Sequence, residues 1–345
     1  MSGLYGFTSP LWPIRYKPLP DELLSSWIVR LAHGHGMKVQ PFCNRLFGNT
    51  RQVWNRDVDR LAPAWLLEAL ATHTGTPACN VFATTLRRYE GVLYERFRSS
   101  GHLHWVQVMQ MYHRKRMGYG QQYCPQCLRG DPTPYYRTRW RLSIITVCSK
   151  HRCMLLDQCL ACGSPVSFHR VDTGLLLDNS RDLAGCVSCG SDLSANASTV
   201  VPIYNVEAFQ WLVAMVARVE QGELAHQGIL AVLHHMIYLM LSSSSTIHLN
   251  EYVAGCLGVV PLSFSNGKRT SVEALPVLQR HQLLIQAAWL MAELAPRLMD
   301  AWRSRAIRYN HLHKDFSGMP AWYQAILEKV PHNSRGGLYA EALRR

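Results

Sequence analysis

Four pairs of metal-ligand residues lie close together in the middle of the chain, and two residues separate the members of each pair. In chain order the pairs are Cys124 with Cys127, Cys148 with His151, Cys159 with Cys162, and Cys186 with Cys189. Two intervening residues allow a tight turn to direct both side chains at one ion. Because zinc takes four thiolate or imidazole ligands tetrahedrally, the eight residues predict two structural Zn²⁺ ions per chain, with no open position for water.

The order of the pairs leaves two groupings of the ligands open. Read sequentially, the first four ligands form a site of three cysteines and a histidine, and the last four form a site of four cysteines. Read crosswise, the order C-C-C-H-C-C-C-C matches a RING finger, in which only a few residues separate the histidine from the next cysteine. Seven residues separate His151 from Cys159 here. We therefore favour the sequential grouping, as two ribbons or knuckles in tandem.

The same region contains further residues of interest. Cys153 breaks the two-residue spacing, which predicts a small buried side chain and not a ligand. His169 is predicted to be an ordinary surface residue. Residues 135–148, "YYRTRWRLSIITVC", change from aromatic and basic to β-branched, which predicts a strand leading into the second pair. We expect its aromatic side chains to cover the small zinc module, although the same residues, with Arg137 and Arg139, are suited to contact nucleic acid.

Composition and charge narrow the class of partner. The chain has 345 residues and a formal net charge of +13, and such an excess predicts an anionic partner, most simply nucleic acid. Residues 1–123 contain 15 basic and 7 acidic side chains, so this third is the strongest candidate for the binding surface. No secretory signal and no apolar run of membrane-spanning length is visible. We expect an intracellular protein with no membrane contact, in which clustered cysteines bind metal and do not form disulfides.

A helix-turn-helix signature lies in this basic third, within residues 65–89, "WLLEALATHTGTPACNVFATTLRRY". Ala71 is a small residue that lets two helices approach, Gly75 permits the turn, and Val81 is an apolar residue that fixes the second helix. The second helix is predicted to begin near Pro77 and to end with a pair of arginines. Such a unit either lies in a DNA groove or binds another protein.

Basic residues near this unit and inside the first zinc finger are the candidate contacts to nucleic acid, through phosphate groups. Besides the arginine pair, a second basic run, "HRKRMGYGQQY", precedes the first finger. The full set of candidates is Arg87, Arg88, Arg114, Lys115, Arg116, Arg137 and Arg139.

No catalytic constellation is recognisable in the sequence. The chain has no GxxxxGK[ST] or HExxH motif, and it has no HxE of the zinc deaminases. Its acidic residues are sparse and unclustered, and the cysteines fill both predicted zinc shells. We therefore predict no catalytic residues and a protein that is not an enzyme.

The fold class predicted from these features is mainly α, with small zinc-ribbon or zinc-knuckle β elements. We expect a helical helix-turn-helix domain over residues 1–122, a tandem zinc-finger module over residues 123–195 and a helical domain over residues 196–345. The first helix is predicted from "LPDELLSSWIVRLAHGHG", in which Leu23 and Trp27 recur at helical spacing.

These residues give the sequence a resemblance to the TniQ family, which includes the longer TnsD proteins. One part of the resemblance is "LPDELLSSWIVRLA", with Pro20, Glu22, Leu24, Ser26, Trp27, Arg30 and Leu31. The other is "CPQCL" followed by "RWRLSIITVCSKHRCMLLDQCLACG". Residues 15–190 are well covered by the resemblance, and the remainder only by its helical character.

The resemblance implies a non-enzymatic target-selection factor of a DNA transposon. Family members link a chosen target to an AAA+ ATPase transposition regulator (TnsC-like), which then recruits the transposase. The target is held by an RNA-guided Cascade-type complex, which some members join as a head-to-tail homodimer, or is a DNA site read directly. The strongest alternative from another class is a transcription regulator with the same zinc fingers and helix-turn-helix, and a RING-type ubiquitin ligase is disfavoured by the ligand spacing.

Overall fold

The structure, a computed structural model, describes residues 10–48, 52–112, 115–116, 118–170, 183–222, 228–264, 270–314, 316 and 318–331. Over these residues the chain is mainly helical, with thirteen α-helices, five short 3₁₀ helices and one two-stranded antiparallel ribbon. The predicted fold class is confirmed. No described helix is long and apolar enough to cross a membrane.

The described residues divide into two compact units. The first comprises Met1–Glu90 with Arg96–Val201, and the second comprises Gly91–Glu95 with Pro202–Arg345. The residues of the predicted helix-turn-helix and of both predicted zinc fingers thus belong to one compact unit. The division into three domains at residues 122 and 195 stays a prediction.

Six α-helices and the ribbon form the regular structure of the first unit. The helices are α1 (Leu24–Gly34), α2 (Val39–Phe47), α3 (Val58–Leu61), α4 (Ala64–Thr74), α5 (Ala78–Phe82) and α6 (Pro125–Gly130). Strand β1 (Met111–Tyr112) pairs with β2 (Lys115–Arg116), with Met111 opposite Arg116. The 3₁₀ helices of this unit are Leu86–Tyr89, Thr138–Arg141, Phe168–Arg170 and Leu193–Ala195.

Helix α1 forms where the sequence predicts it, and most of its residues are buried. Trp27 is fully buried, and its indole N–H donates to the carbonyl of Tyr16 over 2.7 Å. Glu22, just before the helix, is also buried and forms an ion pair with Arg30 at 2.7 Å. Glu22 further accepts hydrogen bonds from the Ser26 hydroxyl and from a backbone N–H. Glu22, Ser26 and Arg30 of the "LPDELLSSWIVRLA" segment therefore satisfy one another at the buried start of the helix.

The helix-turn-helix signature is confirmed at its turn and wrong in its second helix. Gly75 ends α4 in the left-handed conformation at φ 61°, and α5 begins directly after Pro77. Helix α5 spans only five residues, however, and does not reach the arginine pair. The hydroxyls of Thr84 and Thr85 donate to the carbonyls of the last turn, and such side-chain bonds compete with continuation of a helix.

The strand predicted over residues 135–148 is also wrong. The segment makes a 3₁₀ turn at Thr138–Arg141 and only isolated β-bridges. Its backbone groups bond to several different parts of the unit: Tyr136 accepts from Leu23, and Ser143 donates to Trp105. The β-branched side chains, such as Ile144, are buried. They signalled burial in a core, and not pairing in a sheet.

Seven α-helices build the second unit, and the helical runs after residue 200 are confirmed. The helices are α7 (Val206–Gln221), α8 (Ile229–Met240), α9 (Leu249–Leu257), α10 (Val277–Ala292), α11 (Leu294–Arg303), α12 (Tyr309–His313) and α13 (Ala321–Leu327), with a 3₁₀ turn at Val272–Ala274. The last long run divides at Glu293, whose φ of −138° and ψ of 60° are not helical. Leu290, Leu294 and Leu298, spaced four residues apart, are buried.

Candidate metal centres and nucleic-acid contacts

The first four predicted ligands converge on one point. The atoms Cys124 Sγ, Cys127 Sγ, Cys148 Sγ and a ring nitrogen of His151 all lie within 4.8 Å of one another. His151 Nδ1 is 3.3 Å from the sulfurs of Cys124 and Cys127 and 3.7 Å from that of Cys148. Ligand atoms about 2.3 Å (sulfur) or 2.0 Å (nitrogen) from one zinc ion lie roughly 3.5–3.8 Å apart. The cluster therefore has the spacing of a tetrahedral site.

Two turns position these ligands. Cys124 precedes α6, whose first residue is a proline, and Cys127 lies one turn into that helix. On the other side, the N–H of Arg152 bonds to the carbonyl of Cys148, and Arg152 is left-handed at φ 51°. The N–H of Cys148 in turn bonds to the carbonyl of Cys153 over 2.8 Å. A helix start and a tight knuckle thus face each other across the cluster.

The last four predicted ligands form a second cluster of the same size. All four sulfurs lie within 4.8 Å of one another, with Cys159 3.7 Å from Cys189 and Cys162 3.8 Å from Cys186. Two matching turns hold them. Gly163 donates to the carbonyl of Cys159 and Gly190 to that of Cys186, each over 2.8 Å. Both glycines are left-handed, at φ 70° and 78°, a conformation that other residues adopt only at a cost.

The pKa values of the thiols in the second cluster are shifted in different directions. The Ser191 hydroxyl, 3.0 Å from Cys189 Sγ, and the Ser191 N–H lower the pKa of the Cys189 thiol to about 6. Ser164 lowers the pKa of Cys162 in the same way. Burial instead raises the pKa of Cys186 to about 12. Because a metal ion binds thiolates, metal binding at this cluster would release the proton of Cys186.

The structure therefore brings together the two sequential sets of ligands and not the crosswise sets. Each set has four soft donors and closed tetrahedral spacing, which suits a structural metal ion. The two clusters can hold metal ions, and the donor type favours zinc or another thiophilic metal.

Cys153 and His169, which were predicted not to be metal ligands, differ in how well the structure agrees with their predictions. Cys153 is buried, but its sulfur lies only 3.7 Å from Cys124 Sγ. His169 was predicted at the surface, and this prediction is wrong. Its ring is buried and stacks on Trp54, with ring centroids 5.2 Å apart. The neighbouring Phe168 stacks on Tyr136 at 4.1 Å. A 3₁₀ turn carries both rings into the core, which the polarity of histidine alone did not reveal.

The aromatic residues before the second pair pack inside the unit, as expected. Tyr136 and Trp140 are buried, and their rings meet edge to face at 5.9 Å. The backbone N–H of Tyr136 donates to the Ser26 hydroxyl of α1 over 3.0 Å. The chain between the two halves of the first cluster is therefore fixed directly to α1.

A buried ion network that the sequence did not reveal strengthens this connection. Arg141 is fully buried and forms ion pairs with Asp57 at 2.5 Å and Asp59 at 3.2 Å. Asp59, buried as well, accepts hydrogen bonds from the N–H and the hydroxyl of Ser25 at 2.7 and 2.9 Å. The network joins α1, α3 and the finger segment. The sequence did not predict this network, because more than eighty residues separate Arg141 from its aspartates.

The predicted nucleic-acid contacts do not form one group. Arg88 and Arg139 both reach Asp21, at 3.5 Å and 3.1 Å, and their side chains are 38% and 34% exposed. Arg87 lies over the Phe97 ring at 4.8 Å. Arg137 is buried, pairs with Asp131 at 2.9 Å and lies over Tyr135 and Trp140. Its prediction as a surface contact is therefore withdrawn, because Asp131 already holds its charge inside the unit.

The basic run before the first finger is only partly described. Arg114 lies outside the described residues. Lys115 and Arg116 form strand β2, where they face Tyr112 and Met111 of β1. Their role in binding nucleic acid stays a prediction.

The described residues form a mainly helical protein with two clusters of four Cys or His side chains, each of which can hold a metal ion. The model of the TniQ family matches residues 13–155. This range contains α1, the helix-turn-helix and the whole first cluster, and over it the resemblance predicted from the sequence is confirmed. The second cluster and the second unit lie beyond the match. A search of the curated proteins finds no match to the chain.

Proposed function

We propose that the chain is a target-selection adaptor of DNA transposition. The observation that carries this proposal is the TniQ match over residues 13–155, because it covers both α1 and the first metal cluster. The match supports a role in transposition and in contacts with target DNA. As an adaptor, the chain has no catalytic activity of its own, in keeping with the lack of a P-loop motif in its sequence.

The partners we propose are those that the family resemblance implies. One is an AAA+ ATPase transposition regulator of the TnsC type. The other is the bound target, either an RNA-guided Cascade-type complex or the DNA itself, with a homodimer of this chain as one arrangement. A transcription regulator remains the alternative class, but no observation favours it.

Each chain is proposed to carry two structural zinc ions, one in each cluster. Zinc is the metal best suited to three thiolates with an imidazole and to four thiolates, and such sites supply folding energy. The function of the metal is then to hold the target-selection surface in shape. Elemental analysis of the purified chain should give two zinc atoms per chain.

Contact with DNA is proposed to be weak and independent of sequence. Arg88 and Arg139 are partly exposed, and phosphate contacts by such residues position a protein without reading bases. We expect a Kd of roughly micromolar or weaker at physiological salt. Choice of sequence then comes from the partner, for example by base pairing in an RNA-guided complex.

The test combines binding and recruitment. The purified chain is mixed with an AAA+ transposition regulator of the TnsC type and ATP, and complex formation is followed by size-exclusion chromatography. In parallel, the chain is titrated against random and candidate target duplexes at fixed salt. An adaptor binds the regulator and shows little preference among duplexes. A preference of about a thousand-fold for one duplex without binding to the regulator would favour the transcription regulator instead.

A further inference from the structure

A fifth candidate ligand, Cys153, lies beside the first cluster, which already has the four donors of a tetrahedral site. Cys153 Sγ lies 3.7 Å from Cys124 Sγ, the same distance that separates the sulfurs of Cys127 and Cys148 within the cluster. This separation is also the one expected between two thiolates bound to one zinc ion, about 3.8 Å. Cys153 therefore lies at ligand spacing from one member of the set, Cys124, although it is not one of the four converging atoms.

The backbone holds Cys153 and His151 on the same knuckle. The N–H of Cys148 donates to the carbonyl of Cys153, and the N–H of Arg152 donates to the carbonyl of Cys148, each over 2.8 Å. Both side chains thus project from one tight turn whose base is a ligand. Rotation about a single side-chain bond between staggered positions moves a cysteine sulfur by a few ångströms without moving this turn.

The surroundings differ between the two side chains. Cys153 is 4% exposed, whereas His151 is half-buried at the rim of the cluster. A thiophilic metal accepts a fourth thiolate as readily as an imidazole, since both four-cysteine and three-cysteine, one-histidine sites are stable zinc centres. The buried sulfur is thus chemically competent for the position that the rim histidine holds.

We propose that Cys153 is a reserve ligand, which takes the fourth position of the first metal centre when His151 does not coordinate. In this exchange the metal–nitrogen bond breaks, the Cys153 thiol loses its proton to solvent, and a metal–sulfur bond forms. No electron is transferred, and the charge of the centre becomes more negative by one unit. The inference rests on the proposed metal binding at this cluster.

The experiment compares metal content across full-length variants. Wild type, Cys153→Ser and His151→Ala should each retain two zinc atoms per chain, whereas His151→Ala with Cys153→Ser should retain one. Cobalt substitution provides a second measurement. The near-ultraviolet sulfur-to-cobalt absorption should rise by about one-seventh in His151→Ala, because eight thiolates then replace the seven of the two clusters.

Two matched controls separate coordination from packing. His151→Ala with Cys43→Ser removes another buried thiol and should retain two zinc atoms. His151→Cys with Cys153→Ser restores four thiolates without Cys153 and should also retain two. Failure of this second control would show that Cys153 acts through packing and would overturn the proposal.

The outcomes distinguish this inference from the proposed zinc binding. Wild type with two zinc atoms and His151→Ala with only one would remove the reserve ligand and leave the zinc proposal intact. Retention of both ions by the His151→Ala, Cys153→Ser double variant would equally overturn it, because water would then be the replacement. Wild type without zinc would overturn both.

Discussion

The two metal clusters use the same local design in different surroundings. In both, two residues separate the members of each ligand pair; three of the four pairs lie on tight turns, and Cys124 with Cys127 lies at the start of α6. The first cluster has three buried cysteines and lies inside the TniQ match. In the second, Cys162 and Cys189 are exposed, and the whole cluster lies beyond the match. The same ligand spacing can therefore serve a buried site and a partly exposed one.

The difference lies in what each cluster is attached to. Between the halves of the first cluster, Tyr136 bonds to α1 and Arg141 enters the buried ion network. Between the halves of the second cluster, the rings of Phe168 and His169 stack on Tyr136 and Trp54. The chain that follows the second cluster returns to the first finger, where Arg129 donates to the carbonyl of Ser194 over 2.6 Å. Hydrogen bonds and ion pairs therefore join the first cluster to α1, whereas ring stacking joins the second cluster to the core.

The largest effect is expected when the first cluster loses a ligand. Cys148→Ser should abolish metal binding there and unfold the core around α1, because structural zinc contributes about 10–16 kcal/mol in small zinc domains, comparable to the whole stability of a domain. Elemental analysis and thermal unfolding by circular dichroism would measure this. A variant that keeps two zinc atoms and melts like wild type would contradict it.

A smaller effect is expected at the second cluster. Cys186→Ser should lose one zinc atom and unfold the second knuckle module, while α1 and the first cluster persist. Hydrogen exchange should show loss of protection near Gly190 and unchanged protection at Trp27. If Cys186→Ser and Cys148→Ser destabilise α1 equally, the distinction between the two kinds of attachment is wrong.

A mutation in the buried ion network should affect the first cluster and not the second, although no metal ligand is changed. Asp59→Ala leaves the buried Arg141 without one of its carboxylates, and breaking a buried pair costs about 3–5 kcal/mol. We expect lower stability in urea and weaker metal retention at the first cluster only. Asp300→Ala, in the second unit, removes a hydrogen bond from Tyr252 and serves as the control. Equal metal loss from both clusters would count against the proposed link.

The smallest expected effect concerns DNA. Arg88→Ala with Arg139→Ala should weaken binding about equally for all duplexes and reduce the slope of log K against log salt by roughly one per contact. Arg218→Ala, an exposed arginine of the second unit, is the matched control and should change little. Loss confined to one duplex would indicate base recognition by this face.

Sequence reasoning succeeded where the signal is local. Two-residue ligand spacing and a glycine turn each encode a short structure, so both clusters and the Gly75 turn could be anticipated. The apolar spacing around Trp27 likewise predicted α1. The order of the pairs alone did not settle which ligands converge.

Errors arose where a distant partner decides the structure. The β-branched residues near Ile144 form core contacts in place of a strand, since separate segments take their backbone bonds. Arg137 resembled a surface cation until Asp131 was seen beside it. The buried Arg141 had no distinguishing local pattern at all, because its aspartates belong to an earlier part of the chain.

The exposed sulfurs of the second cluster also set the electrostatics of that surface. Loaded with zinc, four thiolates carry a net charge of about −2, and three thiolates with a neutral imidazole about −1. The chain, +13 by formal count without its thiolates, would then carry about +10. The zinc-loaded cluster with Cys162 and Cys189 would therefore lower the positive potential of the surface around it, which weakens the attraction of that surface for phosphate. A duplex drawn by long-range attraction is then expected to contact parts of the chain away from this cluster.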